Sequence, residues 1–211
     1  GANRLLGKVL IAMSEMISQR LSDAVTLHTF TDPRFKTMKV SVNLFLPLRK
    51  ETAARNAILP PLVSRATREY PDSTPLNCRL AQLYGASFNN SVRKMGGYQV
   101  LSLSVNGLAN RYAFGGEDMF QQLTDLLFAV LFDPLKDSQG LFPANGFQQE
   151  RRQLLEMLDA EFNDKVGYAH QRCEEILFHG QNAGVGRCGS REDVEALDRA
   201  AVTAAWEEVL Q

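Results

Sequence analysis

The 211-residue chain is 45% hydrophobic and 22% charged, enough apolar sequence for one core that buries about 70% of the unfolded surface. Lys plus Arg (23) nearly balances Asp plus Glu (24), and a net charge of -1 provides no global field for nucleic acid or an anionic membrane. Cys78, Cys173 and Cys188 lack Cys-x-x-Cys spacing, which argues against a disulfide framework, and no apolar run approaches the ~20 residues needed to span a bilayer.

A reducing, cytoplasmic setting is therefore expected. With Gly1 in place of Met and a helical pattern still running at Gln211, residues 1–211 read as a single domain from a longer protein with at least one further similar domain.

Leu5, Leu6, Val9, Leu10, Met13, Met16, Ile17 and Leu21 recur at helical spacing and predict an opening amphipathic helix. Val25 to Phe30 and the alternating run Lys39 to Leu46 predict two strands paired through the Asp32 to Thr37 connection. A helix is expected from Ala53 to Tyr70, stopped by Pro71. Pro60-Pro61 inside it predicts a kink or a split, because an interior proline costs about 3 kcal/mol.

Leu76 to Tyr84 predicts a short helix ended by Gly85. Ala86 to Lys94 and Tyr98 to Val105 predict a hairpin turned by Met95-Gly96-Gly97. A helix ending at Asp133-Pro134 places Met119, Phe120, Leu123, Leu126, Leu127, Val130 and Leu131 inward. A long helical pattern from Phe147 to Phe178 breaks around Asp164 to Gly167. After the glycine-rich link from Gly180 to Gly189, Ser190-Arg-Glu-Asp193 resembles a capping box, and a last helix carries Trp206. This order predicts an α+β fold, helices packed against a largely antiparallel sheet.

Several constellations have possible chemistry. His170, Cys173 and Glu174 share a helix face at a metal-collecting spacing, but short clusters of this kind are frequent, and a buried thiol beside a surface histidine is the preferred reading. Gly184-Val-Gly186-Arg-Cys-Gly189 matches Gly-x-Gly-x-x-Gly, yet a helix precedes it where a dinucleotide site needs a strand, so a helix-to-helix link is preferred. The basic residues are scattered, and no nucleic-acid groove is expected.

Phe35-Lys36-Thr37, then Leu83-Tyr84-Gly85-Ala86 entering Ser87-Phe88-Asn89-Asn90, then Asp164-Lys165-x-x-Tyr168-Ala169 follow one another in this element order. From about Val25 to Gln211 the chain resembles the catalytic-type domain of the insulinase/pitrilysin family of zinc metallopeptidases, closest to bacterial members. That resemblance implies a helix carrying His-x-x-Glu-His, two imidazoles binding zinc and the glutamate acting as general base, with a distant glutamate completing the site.

With Ala66-Thr67 aligned on the Gly-Thr that closes the family motif, Ala57, Pro60 and Pro61 stand at the His, Glu and His positions. His28, His170 and His179 are the only histidines, and no two are four apart. Glu150 and Glu156 fall in the region of the third ligand and read as solvated helix glutamates.

The resemblance thus implies a degenerate member with no catalytic residues and no metal or cofactor of its own. Its expected partner is a second insulinase-like domain or subunit able to carry the zinc. It also implies that a peptide can add as a strand along Phe88, Asn89, Asn90 and Ser91. Two alternatives remain open: part of an active zinc endopeptidase whose metal site lies outside this chain, or an unrelated α+β interaction module.

Overall fold

In the computed structural model, which describes residues 15–210, the described chain opens on a hairpin rather than a helix. Strands Glu15–Arg20 (β1) and Thr26–Thr31 (β2) pair antiparallel, from Glu15 opposite Thr31 to Arg20 opposite Thr26. Leu21 N–H donates to the Val25 carbonyl at 2.9 Å to close the turn, and Arg20 meets Asp23 at 3.0 Å. This corrects the described part of the expected opening helix; its residues 5–14 lie outside the described residues. Met16, Ile17 and Leu21 satisfy the helical and the extended period alike, and pairing with β2 selects the strand.

The next connection does not fold β2 onto the following strand, Thr37–Pro47 (β3). The buried Asp32 carboxylate takes the Arg34 guanidinium at 2.6 Å and the Arg34 backbone N–H at 2.9 Å. Arg111 donates to the carbonyls of Pro33 and Phe35, at 2.5 and 2.7 Å, tying this turn to a distant loop. β3 is left to pair elsewhere, and the expected β2 to β3 pairing is not formed.

Lys50–Ala57 (α1) and Leu59–Val63 (α2) meet at Ile58, so the proline pair splits the helix in two. Pro60 and Pro61 take the second and third positions of α2, where the missing N–H groups would have no partner within the helix. The helix stops at Val63, short of the expected Tyr70. Thr67 bridges Pro134, while Arg68 N–H and the Ala66 carbonyl bond to the Asp133 carbonyl and Leu135 N–H, an extended pairing that competes with the helix.

Asp72 caps Ser73–Gln82 (α3) through Thr74 N–H at 2.7 Å, and α3 buries Leu76 and Leu80. Tyr84 and Gly85 turn left-handed, with φ of 57 and 72°, and lead into Ser87–Met95 (β4). Gly96-Gly97 joins β4 to Tyr98–Leu108 (β5) with Met95 opposite Tyr98, the expected hairpin. β5 pairs on its other side with β3, from Pro47 opposite Tyr98 to Thr37 opposite Leu108, giving the antiparallel order β3-β5-β4.

Met119–Phe132 (α4) buries Met119, Leu123, Leu126, Leu127, Val130 and Leu131. Phe120 lies outward and exposed, contrary to expectation, because the adjacent Met119 already takes the core face. Ala144–Glu161 (α5) and Lys165–Leu177 (α6) break where expected, at Asp164, which caps α6 through Gly167 N–H at 3.0 Å. Arg191–Glu195 (α7) starts in a complete Ser190-Asp193 capping box. In Arg199–Val209 (α8), buried Trp206 donates to the Leu131 carbonyl at 3.2 Å. The α+β, antiparallel class is borne out.

One sheet face is the core face. Gln99, Leu101, Leu103 and Val105 of β5 are buried there beside Val40, Val42, Leu44 and Leu46 of β3, and α2 and α4 pack against them. The opposite face is mainly polar, with Lys39, Ser41, Asn43, Asn89, Ser91 and Arg93, though Val100 is buried there between Phe45 and Arg93 of the flanking strands. Among the described residues, no helix is long and apolar enough to cross a membrane.

Candidate functional site

Helix α1 brings Ala57 into the core at 2% exposure, and α2 buries Pro60 while leaving Pro61 half-buried. None of the three side chains has a lone pair to offer a metal or a proton. The donor set therefore does not fit zinc at these positions.

Glu150 corrects the sequence reading. It is buried on α5 at 6% exposure, and its Oε1 lies 2.5 Å from Arg65 Nη1, while Arg65 Nη2 donates to Gln149 at 3.0 Å. The guanidinium approaches over Gly146, where a Cβ would stand 3.3 Å from Arg65 Nε. Arg65 already supplies the positive partner this desolvated carboxylate requires. Glu156 is exposed and pairs loosely with Arg152 at 3.6 Å. The Arg65–Glu150 pair was not visible in the sequence because its members stand 85 residues apart.

β4 is an edge strand, and no further described strand pairs along its outer side. Phe88, Asn90, Val92 and Lys94 lie on the core face, opposite Val105, Leu103, Leu101 and Gln99. Asn89 and Ser91 lie on the other face, so alternation divides the four predicted positions into two pairs. Phe88 and Asn90 line a groove of about 560 Å³ with Leu62, Arg65, Leu76 and Leu80, between α2, α3 and the start of α5.

Past Val92 the same strand borders a second groove, of about 710 Å³, against α6. Lys94 and Glu174 face each other across it at 2.6 Å. At the entry to β4, the Tyr84 hydroxyl donates to Glu117 at 2.6 Å and accepts from Phe114 N–H at 3.1 Å. The hydrogen bond to Glu117 holds the phenol above its ordinary pKa.

The remaining candidates separate. His170 lines the second groove, Glu174 is ion-paired and Cys173 is exposed, so the preferred reading of a buried thiol at 173 is wrong; Cys188 is the buried one. No group of three His, Cys, Asp or Glu able to hold a metal occurs among the described residues. Residues 184–189 form a link between α6 and α7, as preferred. There Gly189, at φ +70°, passes so close to α1 that a Cβ would stand 3.0 Å from the Ala54 nitrogen.

No family model matches the sequence. A curated relative, a probable inactive metalloprotease YmfF of Bacillus subtilis, is 24% identical over 173 residues, 82% of this chain and 40% of that protein. A conserved protein from Enterococcus faecalis superposes with a TM-score of 0.86 at 27% identity, over 93% of this chain and 46% of that one. The inactive domain of a peptidase M16 from Pseudomonas fluorescens gives a TM-score of 0.67 at 12% identity, over 91% and 43%. This chain thus spans less than half the length of each of these relatives.

The fold, an antiparallel sheet with an edge strand beside a split helix, is that of insulinase-type (M16) peptidase domains. The chain is similar in sequence to a probable inactive metalloprotease, and the helix on which the resemblance looks for His, Glu and His carries Ala57, Pro60 and Pro61.

Proposed function

We propose that this domain is a structural, peptide-holding half of a larger peptidase-like assembly, binding no metal itself and pairing with a second insulinase-like domain or subunit that can carry the zinc. The observation carrying the proposal is the conjunction of a donorless motif helix with an open β4 edge bordered by two grooves. Backbone donors and acceptors along an edge can hold an extended peptide without catalytic groups. Alternate peptide side chains then fall between Phe88 and Asn90 into the first groove. The shares of the relatives covered by this chain, 40 to 46%, support a two-part assembly. The scattered, unpaired cysteines support a cytoplasmic location.

The test is fluorescence anisotropy with a panel of labelled eight-residue extended peptides, alongside zinc analysis after incubation and dialysis. Binding weakened about tenfold or more by Asn90→Arg, with an unchanged melting temperature and less than about a tenth of an equivalent of zinc, is expected. Stoichiometric zinc, or peptide binding indifferent to Asn90→Arg, overturns the proposal.

A further inference from the structure

The β1–β2 hairpin stands apart from the domain core. Every residue of β2 is exposed, as are Met16 to Arg20 of β1, and neither strand packs substantially against any other element among the described residues. An isolated two-stranded hairpin is marginal in water, and it becomes stable when a third strand or an apolar surface covers it. Here both faces carry apolar side chains. Met16 stands opposite Phe30 on one face, while Ile17 and Leu27 lie on the other, all between 46 and 67% exposed. A ribbon made to lie against its own domain would concentrate its apolar residues on one face; this one exposes a pair on each, among polar neighbours such as Ser18, His28, Gln19 and Thr29.

We infer that the hairpin is a docking arm received by the second insulinase-type half, with both of its faces buried there. This rests on the two-part reading above and adds the surface through which the parts engage. The occupant follows from the comparisons: the relatives continue for more than this chain's own length, so a domain of comparable size is available to cover the arm. At the turn end of the ribbon Arg20 pairs with Asp23, and Ser18 is hydrogen-bonded with His28 at 2.8 Å.

Hydrogen–deuterium exchange of residues 16–20 and 26–30 tests this, measured on the chain alone and on the complete assembly. In the chain alone these amides are expected to exchange within about tenfold of the unprotected rate. In the assembly they slow by about a hundredfold or more. Met16→Ser with Phe30→Ser is expected to weaken the assembly at least about tenfold and leave the chain's own melting temperature unchanged.

Strong protection in the chain alone at all concentrations overturns the inference, since the arm then needs no partner. Protection that rises with the chain's own concentration and disappears in the double variant also overturns it, assigning the arm to a second copy. An intact assembly with unprotected hairpin amides overturns the docking arm while leaving the peptide-holding function untouched. That function fails separately, by peptide binding indifferent to Asn90→Arg.

Discussion

Arg65 and Glu150 form a 2.5 Å ion pair with the carboxylate almost wholly buried and the arginine side chain 35% exposed. Removing the cation alone strands a desolvated anion. Arg65→Ala is expected to destabilise the domain by about 3 kcal/mol, and Arg65→Met with Glu150→Leu by much less, because the pair is then replaced by apolar contact. Urea denaturation midpoints of the single and double variants check this, and equal losses would show that the pair is not coupled.

Pro60 and Pro61 look like helix breakers and behave as helix starters. At the second and third positions of α2 they forfeit no hydrogen bond within that helix. Replacing either with Ala is expected to change stability by less than about 1 kcal/mol, and slightly downward through the freer unfolded chain. A gain near 3 kcal/mol in thermal denaturation would mean that an interior helix had been broken.

Gln99 ties three segments together. Its Nε2 donates from β5 to the Ala53 carbonyl of α1 at 2.9 Å and to the Arg187 carbonyl of the glycine-rich link at 2.6 Å. Gln99→Ala leaves both carbonyls without this donor and is expected to cost about 2 kcal/mol. Faster limited proteolysis between residues 180 and 189 is the accompanying local sign, and an unchanged cleavage rate would argue against the tie.

Burial pushes the Cys188 thiol up to about 11 from an ordinary 9, while Cys78 and Cys173 are exposed. Iodoacetamide at pH 8 is therefore expected to label Cys78 and Cys173 in the folded protein and Cys188 only after unfolding. Because the folded pKa is raised and the neutral thiol is the favoured form, unfolding releases a proton between pH 9 and about 11. Stability from this group is flat below pH 9 and falls through that window. Cys188→Ser should flatten the fall seen in alkaline denaturation.

The elements legible in the sequence were those whose determinants lie close together. Gly96-Gly97 set the β4–β5 hairpin, Ser190 and Asp193 the start of α7, and the period of Leu123, Leu127 and Val130 the inner face of α4. What escaped depended on distant partners. β3 chose β5 over the nearby β2, and Met16 and Ile17 became extended because of Phe30 and Thr29. Local periodicity cannot rank such competitors. That Ala57, Pro60 and Pro61 offer no metal donor was readable from residue identity alone, whereas burial of Glu150 required Arg65 to be brought in from elsewhere in the chain.

That same ion pair limits the metal chemistry this helix could acquire. A variant given His, Glu and His at residues 57, 60 and 61 would push a bulky imidazole into the filled space around Ala57. If it also recruited the Glu150 carboxylate, it would have to release that group from Arg65. The packing around residue 57 and the pairing of Glu150 thus hold this helix in place whatever the domain binds.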